Sequence, residues 1–361
     1  MRVLIAGGGT GGHLFPAVAV GEEILRQAPE STVLYAGASN GFEARWLPQH
    51  GLPCELMAVR GWTGKGPLTR LRALSEFVAA IAQARRLIRR FRPDLVLGAG
   101  GYVSAPFAVA AAASRVPLVL MEQNTRPGMT NRLMGRLADR ICLGFADAAP
   151  SFAADRVVVS GNPVRFRWSG AAPRDSADPL QILVLGGSSG AHRLNLGVLK
   201  AFEIDAKSVI NWRITHQTGE ADQGMVAEGY ARMRLAATVV PFIDDMASAL
   251  RGADLVVARA GAMTVTEMAL AGRPAIFVPY PFHRDRQQEF NARVLVRAGA
   301  ARIVADDQQL GANLARELIE LTADRAALLE MGRRAQATAR PCAAATVAQV
   351  CFAVVRERRA A

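Results

Sequence analysis

The sequence predicts an α/β protein of two similar Rossmann-like domains, each a parallel sheet with helices on both faces. Three observations carry that expectation. Short runs rich in Val, Leu and Ile alternate with helical segments along the whole chain, as strands buried on both faces do. An apolar run meets a glycine-rich turn twice, as Leu4-Ile5-Ala6-Gly7-Gly8-Gly9 and as Leu183-Val184-Leu185-Gly186-Gly187-Ser188. The 361 residues exceed one ordinary core, and between the halves the stretch 165–179 is dense in Ser169, Gly170, Pro173, Asp175, Ser176, Asp178 and Pro179, which is linker chemistry. The expected plan is a first domain over 1–164, a linker over 165–179 and a second domain over 180–340, facing each other across a ligand cleft at the carboxyl ends of their strands.

Strands are expected at 3–6, 33–36, 55–59, 95–98, 118–121 and 157–159 in the first half. The second half repeats the plan at 182–185, 213–216, 238–240, 255–258, 275–278 and 302–304. The halves echo each other again where Asp94-Leu95-Val96 leads to Pro117-Leu118-Val119, and Asp254-Leu255-Val256 leads to Pro274-Ala275-Ile276. A last helix over 343–359 carries Val347, Val350, Cys351 and Val354 on one face, suited to crossing back and bracing the first domain.

Composition narrows the function classes. Apolar residues make up 51% of the chain, enough for two cores, and the four cysteines are far apart with no Cys-x-x-Cys pair, so neither a zinc site nor a disulfide framework is suggested. No charged leader precedes the first strand, and the longest apolar run, 105–113, is closed by Ser114 and Arg115, so the reading is a cytoplasmic protein without a membrane anchor. Lys and Arg number 43 against 31 acids, a balance of +12 that favours an acidic partner. Nine of the basic residues fall between Arg60 and Arg92, against the single acid Glu76, and Leu71, Leu74, Val78 and Ile81 recur among them at helical spacing. Such a helix, with Arg85, Arg86 and Arg89, either lies on an anionic membrane surface or turns its stripe to the core and leaves the arginines solvated. Nucleic acid is disfavoured by the lack of recognised motifs and by few aromatics to stack bases.

The first turn carries the chemistry furthest. Gly7-Gly8-Gly9-Thr10-Gly11-Gly12 lets backbone N–H groups approach an anion, and the following helix aims its positive end at the same place. His13 sits in that helix's first turn, where partial positive charge holds an imidazole neutral and free to accept a proton. The spacing departs from the dinucleotide fingerprint, because Glu22 and Glu23 come too early for its acid and Glu30 would end the first helix rather than the second strand. Gly186-Gly187-Ser188-Ser189-Gly190-Ala191 is a second phosphate-type turn or simply a tight one. Glu267, one turn into the helix opened by Met263 and Thr264, either accepts two ribose hydroxyls or caps that helix. Gln287 and Gln288 suit sugar hydroxyls, though adjacent glutamines on a surface helix often do nothing more. Glu122-Gln123-Asn124 ends a strand, and Arg165 offers a planar fork to a diphosphate or makes a hinge ion pair. The chain has no Asp-x-Asp, no His-x-x-x-His and no Gly-Lys-Ser/Thr turn, so neither a metal at the reaction centre nor ATP hydrolysis is implied.

These segments, in this order, resemble one family over essentially the whole chain: the MurG glycosyltransferases of family 28, which complete lipid II in bacterial peptidoglycan synthesis. The resemblance rests on Gly8-Gly9-Thr10-Gly11-Gly12-His13 with Phe15-Pro16, Gly100-Gly101-Tyr102-Val103-Ser104, Glu122-Gln123-Asn124, Gly161-Asn162-Pro163-Val164-Arg165, Gly186-Gly187-Ser188, Phe242-Ile243-Asp244-Asp245-Met246, Gly261-Ala262-Met263-Thr264-Val265 and Asp285-Arg286-Gln287-Gln288. It implies a GT-B fold and inverting transfer of N-acetylglucosamine from UDP-GlcNAc to the C4 hydroxyl of the muramyl sugar in lipid I, with no cofactor. By the same resemblance, the Ile243 main chain meets the uracil and Glu267 the ribose. Ser188, Met263 and Thr264 surround the diphosphate, Ala262, Val265 and Thr266 of the same segment also bind substrate, and Gln287 and Gln288 read the sugar. Thr10, Gly11, Gly12, Asn124 and Arg165 line the cleft, and the position of His13, directly after a phosphate-binding turn, makes it the candidate base. The basic helix becomes the membrane-facing region of a peripheral enzyme on the cytoplasmic face of the inner membrane, with other cell-wall synthesis proteins as further partners. Two features depart from the family pattern: Arg60-Gly61-Trp62-Thr63-Gly64-Lys65-Gly66 is longer than the usual Arg-Gly-Lys-Gly turn, and Ser189 stands where many relatives carry glutamine. The competing expectations are a GT-B transferase with another lipid acceptor, a non-catalytic nucleotide-sugar-binding membrane scaffold and, at the level of fold, a nicotinamide-dependent dehydrogenase.

Overall fold

A computed structural model describes residues 1–58, 67–165, 178–187, 190–283 and 285–360, with the side chains of all of these except 67–74. The chain forms two compact units, Met1–Arg165 with Cys342–Ala361, and Phe166–Pro341.

The first unit runs β1 (Arg2–Ala6), α1 (Gly11–Gln27), β2 (Thr32–Ala38), α2 (Glu43–Gln49), β3 (Cys54–Met57), α3 (Pro67–Phe91), β4 (Leu95–Gly98), α4 (Ser104–Ala113), β5 (Leu118–Glu122), α5 (Met129–Met134), β6 (Arg140–Leu143) and β7 (Val157–Val159). All its strands are parallel, in the order β3-β2-β1-β4-β5-β6-β7, with Val3 opposite both Val33 and Leu95. Alternation along β1 sorts the two layers. Val3 and Ile5 pack with Leu14, Val18 and Ile24 of α1, whereas Leu4 and Ala6 pack with Ala84, Ile88 and Phe107 of α3 and α4. The C-terminal helix of the chain belongs to the α1 layer, where Val347, Cys351 and Val354 are buried and Val350 is half-buried.

The second unit runs β8 (Gln181–Leu185), α6 (His192–Ile204), β9 (Arg213–Gln217), α7 (Gln223–Arg232), β10 (Ala236–Val240), α8 (Met246–Gly252), β11 (Leu255–Ala258), α9 (Ala262–Ala271), β12 (Ala275–Phe277), α10 (Gln287–Arg297), β13 (Ala301–Ile303), α11 (Leu310–Thr322) and α12 (Arg325–Ala337); the C-terminal helix is α13 (Ala343–Ala360). Its parallel order, β10-β9-β8-β11-β12-β13, repeats the first six strands of the other sheet with β8 in the place of β1. Tyr230, Phe202 and Trp212 fill its core against Ile182, Val184 and Leu314.

Two expectations change. The sequence reading has no strand at β6, a four-residue segment whose Ile141, Cys142 and Leu143 are buried by pairing with β5 and β7. Nothing local marks so short a run, and its place in the sheet comes from its neighbours. On α3, the two members of the stripe Leu71, Leu74, Val78 and Ile81 with described side chains differ in exposure. The core row is Ala80, Ala84, Leu87 and Ile88, with Ile81 half-buried against it, while Val78 is 57% exposed and Arg85, Arg86 and Arg89 face solvent. Alanine gives this row its close approach to α4, and hydropathy alone does not single it out. The side chains of Leu71 and Leu74, and all of 60–66, lie outside the described residues. Among the described residues no helix is long and apolar enough to cross a membrane.

Candidate functional site

In each sheet the strand order reverses beside the first strand, so the loops leaving β1 and β4, or β8 and β11, part and open a crevice. The glycine-rich turns stand at these two places.

In the first unit, Gly9 (φ 90°), Gly100 (φ 93°) and Gly101 (φ 76°) take left-handed backbone, which only glycine adopts freely. A Cβ on Gly100 would lie 2.6 Å from His13 Cδ2, so the loop after β4 must be glycine for the imidazole to fit beneath it. His13 is half-buried, its Nδ1 3.2 Å from Thr10 Oγ1. Burial lowers its pKa to about 4, so the ring is neutral at pH 7. The sequence reading credits that neutrality to the helix end; the cause found here is desolvation. The N–H groups of Thr10, Gly11 and Gly12 meet no acceptor among the described residues, as expected at an open helix start.

Two side chains at the end of β5 shape the adjoining loop. Glu122 is buried and accepts from Asn124 N (2.9 Å), Asn131 Nδ2 (2.9 Å), Asn124 Nδ2 (3.2 Å) and Gly128 N (3.2 Å). Burial pushes its pKa up while these bonds pull it back, and together they fix the turn that carries Asn124. Gln123 donates to Ala99 O at 2.9 Å, which turns its buried Oε1 toward Gly100 with no partner among the described residues. Arg165 packs its guanidinium 4.7 Å from the Trp46 ring centroid, beyond a long 3.8 Å ion pair to Glu22. Trp46 meets Phe15 edge-on at 5.5 Å, and Phe15 lies against Gly11, so Arg165 is stacked toward the first turn of α1.

In the second unit, Gln217 closes the turn after β8: its Oε1 accepts from Gly187 N (3.1 Å), and its Nε2 donates to Gly187 O (2.9 Å) and Pro241 O (3.0 Å). Ser188 and Ser189 lie outside the described residues. Gly261 precedes α9 in extended conformation, leaving the N–H groups of Ala262, Met263 and Thr264 at an open helix start. Met263 and Thr264 are half-buried and Val265 is core. Thr266 is buried and donates its hydroxyl to Ala262 O at 2.9 Å, so that side chain serves the helix itself. Glu267 is half-buried, has no hydrogen bond among the described residues, and is pushed up to about 7 by burial. Gln288 accepts from Tyr280 N at 2.9 Å through Oε1, which leaves its amide NH2 to donate. Gln287 and Ile243 are half-buried beside exposed neighbours, Asp285 and Phe242.

Sequence reasoning missed the clip that joins these loops. Asp306 is buried; its Oδ1 accepts from Arg193 Nε at 2.6 Å and its Oδ2 from Arg259 Nη2 at 2.8 Å. Arg259 also donates to Val278 O at 2.9 Å, so one carboxylate ties together the start of α6 and the loops after β11, β12 and β13. The available signal is Arg259 itself, a charge directly after a fully buried strand, which needs a buried partner.

Comparison with known proteins matches residues 3–143 to the glycosyltransferase family 28 N-terminal domain and residues 181–347 to the glycosyltransferase family 28 C-terminal domain. A Geobacter metallireducens protein named UDP-N-acetylglucosamine--N-acetylmuramyl-(pentapeptide) pyrophosphoryl-undecaprenol N-acetylglucosamine transferase is 43% identical, covering 96% of this chain and 97% of that one. Its namesake from Geobacter sulfurreducens is 42% identical over 99% of this chain and 100% of the other. The chain belongs to glycosyltransferase family 28. The crystal structure of Acinetobacter baumannii MurG superposes with a TM-score of 0.77 at 33% identity, covering 97% of this chain and 99% of that one. The fold of this family-28 enzyme is therefore GT-B, and its class is N-acetylglucosaminyltransferase.

Proposed function

We propose that this enzyme moves N-acetylglucosamine from UDP-N-acetylglucosamine to the C4 hydroxyl of the MurNAc unit of lipid I, giving lipid II for peptidoglycan synthesis. The observation that carries the reading is full-length identity above 40% to transferases named for this reaction. The glycine turns and the chemistry of His13, Glu267 and Gln288 suit the same reaction.

In the proposed step the C4 oxygen attacks the anomeric carbon while neutral His13 takes its proton; the bond from that carbon to the β-phosphate oxygen breaks, and UDP leaves with the electron pair. One displacement converts the α-linked donor into a β-linked product. An imidazole with a pKa of about 4 is available as a base but forms its cation reluctantly; the diphosphates of the two substrates bring the negative charge that favours the imidazolium. The open N–H groups of α9, with Ser188 and Arg165, are assigned to the departing diphosphate. Thr10, Gly11, Gly12 and Asn124 are assigned to the sugar and acceptor phosphates, Glu267 to the ribose, Ile243 to the uracil, and Gln288 with Gln287 to the sugar hydroxyls.

The same reading places the enzyme peripherally on the cytoplasmic face of the membrane. Besides Val78, it draws on an apolar row at α5, where Met129 (78%), Leu133 (53%) and Leu137 (41%) are exposed beside Arg126, Arg132 and Arg136. Apolar side chains rimmed by arginines suit anionic lipid. The test of function is incubation with UDP-N-acetylglucosamine and a short-chain lipid I analogue. Acceptor-dependent UDP release with one N-acetylhexosamine added to the lipid is expected; UDP-sugar binding without transfer would point to another acceptor.

A further inference from the structure

Glu43 opens α2, yet its side chain leaves that helix and runs under the first glycine-rich turn. It is 0% exposed, and no Lys or Arg among the described residues pairs with it. Its charge is met by backbone: Oε2 accepts from Gly9 N at 2.8 Å and Oε1 from Ala38 N at 2.8 Å. Gly8, Gly37 and Gly41 surround the side chain, and a Cβ on any of the three would collide with it.

We propose that Glu43 is a positioning residue of the transferase, a resident anion that sets the shape of the turn carrying Thr10, Gly11, Gly12 and His13. This rests on the role assigned above to that turn. Both carboxylate oxygens face N–H donors, so an amide in the same place would set its NH2 against one of them; only a carboxylate satisfies both loops. The occupied Gly9 N–H is withdrawn from substrate, and an incoming phosphate finds the N–H groups of Thr10, Gly11 and Gly12 instead. Glu43 thus fixes where the acceptor phosphate sits relative to His13 without touching either.

The test compares full-length wild type with Glu43→Gln, measuring kcat, both KM values and the stoichiometry and affinity of UDP binding, which reports on the other unit. For Glu43→Gln, UDP binding with one site per chain and affinity within about twofold is expected, together with an unchanged donor KM. Acceptor kcat/KM should fall about 10- to 100-fold, as misplacement of a catalytic group costs. Acceptor kinetics within about twofold of wild type, or a loss matched by the fraction of chains that no longer bind UDP, would overturn the proposal. Backbone hydrogen exchange on the wild type decides the matter even where the variant does not fold. Gly9 and Ala38 amides should be protected while those of Gly11 and Gly12 exchange fast; equal exchange at Gly9 and Gly11 removes the proposed bond. A wild type that binds UDP but adds no sugar to lipid I fails the functional reading instead, and leaves the exchange result to judge Glu43.

Discussion

The proposed base, His13, owes its setting to residues distant in sequence: Gly100 makes room for its ring, and burial lowers its pKa. Replacing it with alanine is expected to lower kcat by about 100-fold or more, the usual contribution of a general base, with UDP affinity unchanged by calorimetry. Glu267 gives the corresponding prediction for the donor. With its pKa raised to about 7, the free enzyme holds a proton there below neutrality, whereas ribose hydroxyls donate to the carboxylate form. On the proposed ribose role of Glu267, UDP binding is expected to release that proton. Affinity should weaken about tenfold for each pH unit below 7 and level off above it, measured by titration calorimetry from pH 5.5 to 8.5; Glu267→Gln should bind weakly with a flat profile. The sequence singled out both residues, because each follows a glycine turn at a strand end. It did not identify the reason for the neutrality of His13, since burial depends on a loop nearly ninety positions away.

Among elements, β1, β4, β8 and β11 were legible because buried parallel strands write continuous apolar runs, and the turns after them are written in glycine. β6 and the buried Ala80 and Ala84 of α3 were not legible: one is too short to mark itself, and the others are small side chains that hydropathy undervalues. The Asp306 clip was hidden for a different reason, since its members come from the start of α6 and three separate loops. Removing its carboxylate leaves Arg259 buried without its counter-charge, a change worth about 3–5 kcal/mol in buried pairs. Asp306→Ala should therefore weaken UDP binding at least about tenfold and lower Tm by several degrees, read by calorimetry and thermal denaturation. On α5, Leu133→Asp should reduce flotation with phosphatidylglycerol vesicles by more than half while leaving UDP affinity untouched. Equal flotation would assign the exposed row a different partner.

At the scale of the molecule, one strand plan appears twice, and the two copies present different side chains. The first unit presents a histidine and an open helix start; the second presents a carboxylate near neutrality and an amide donor set by Tyr280. The repeat was visible in the sequence as paired motifs, whereas the burial and hydrogen bonding of what each copy presents show only in the structure. The whole molecule is tested most directly by the product. Purified enzyme, UDP-N-acetylglucosamine and a short-chain lipid I analogue should yield lipid carrying one added N-acetylhexosamine in β linkage, with UDP formed in equal amount. An α-linked product would contradict the single displacement assigned to His13, and UDP release without sugar on the lipid would contradict the proposed reaction.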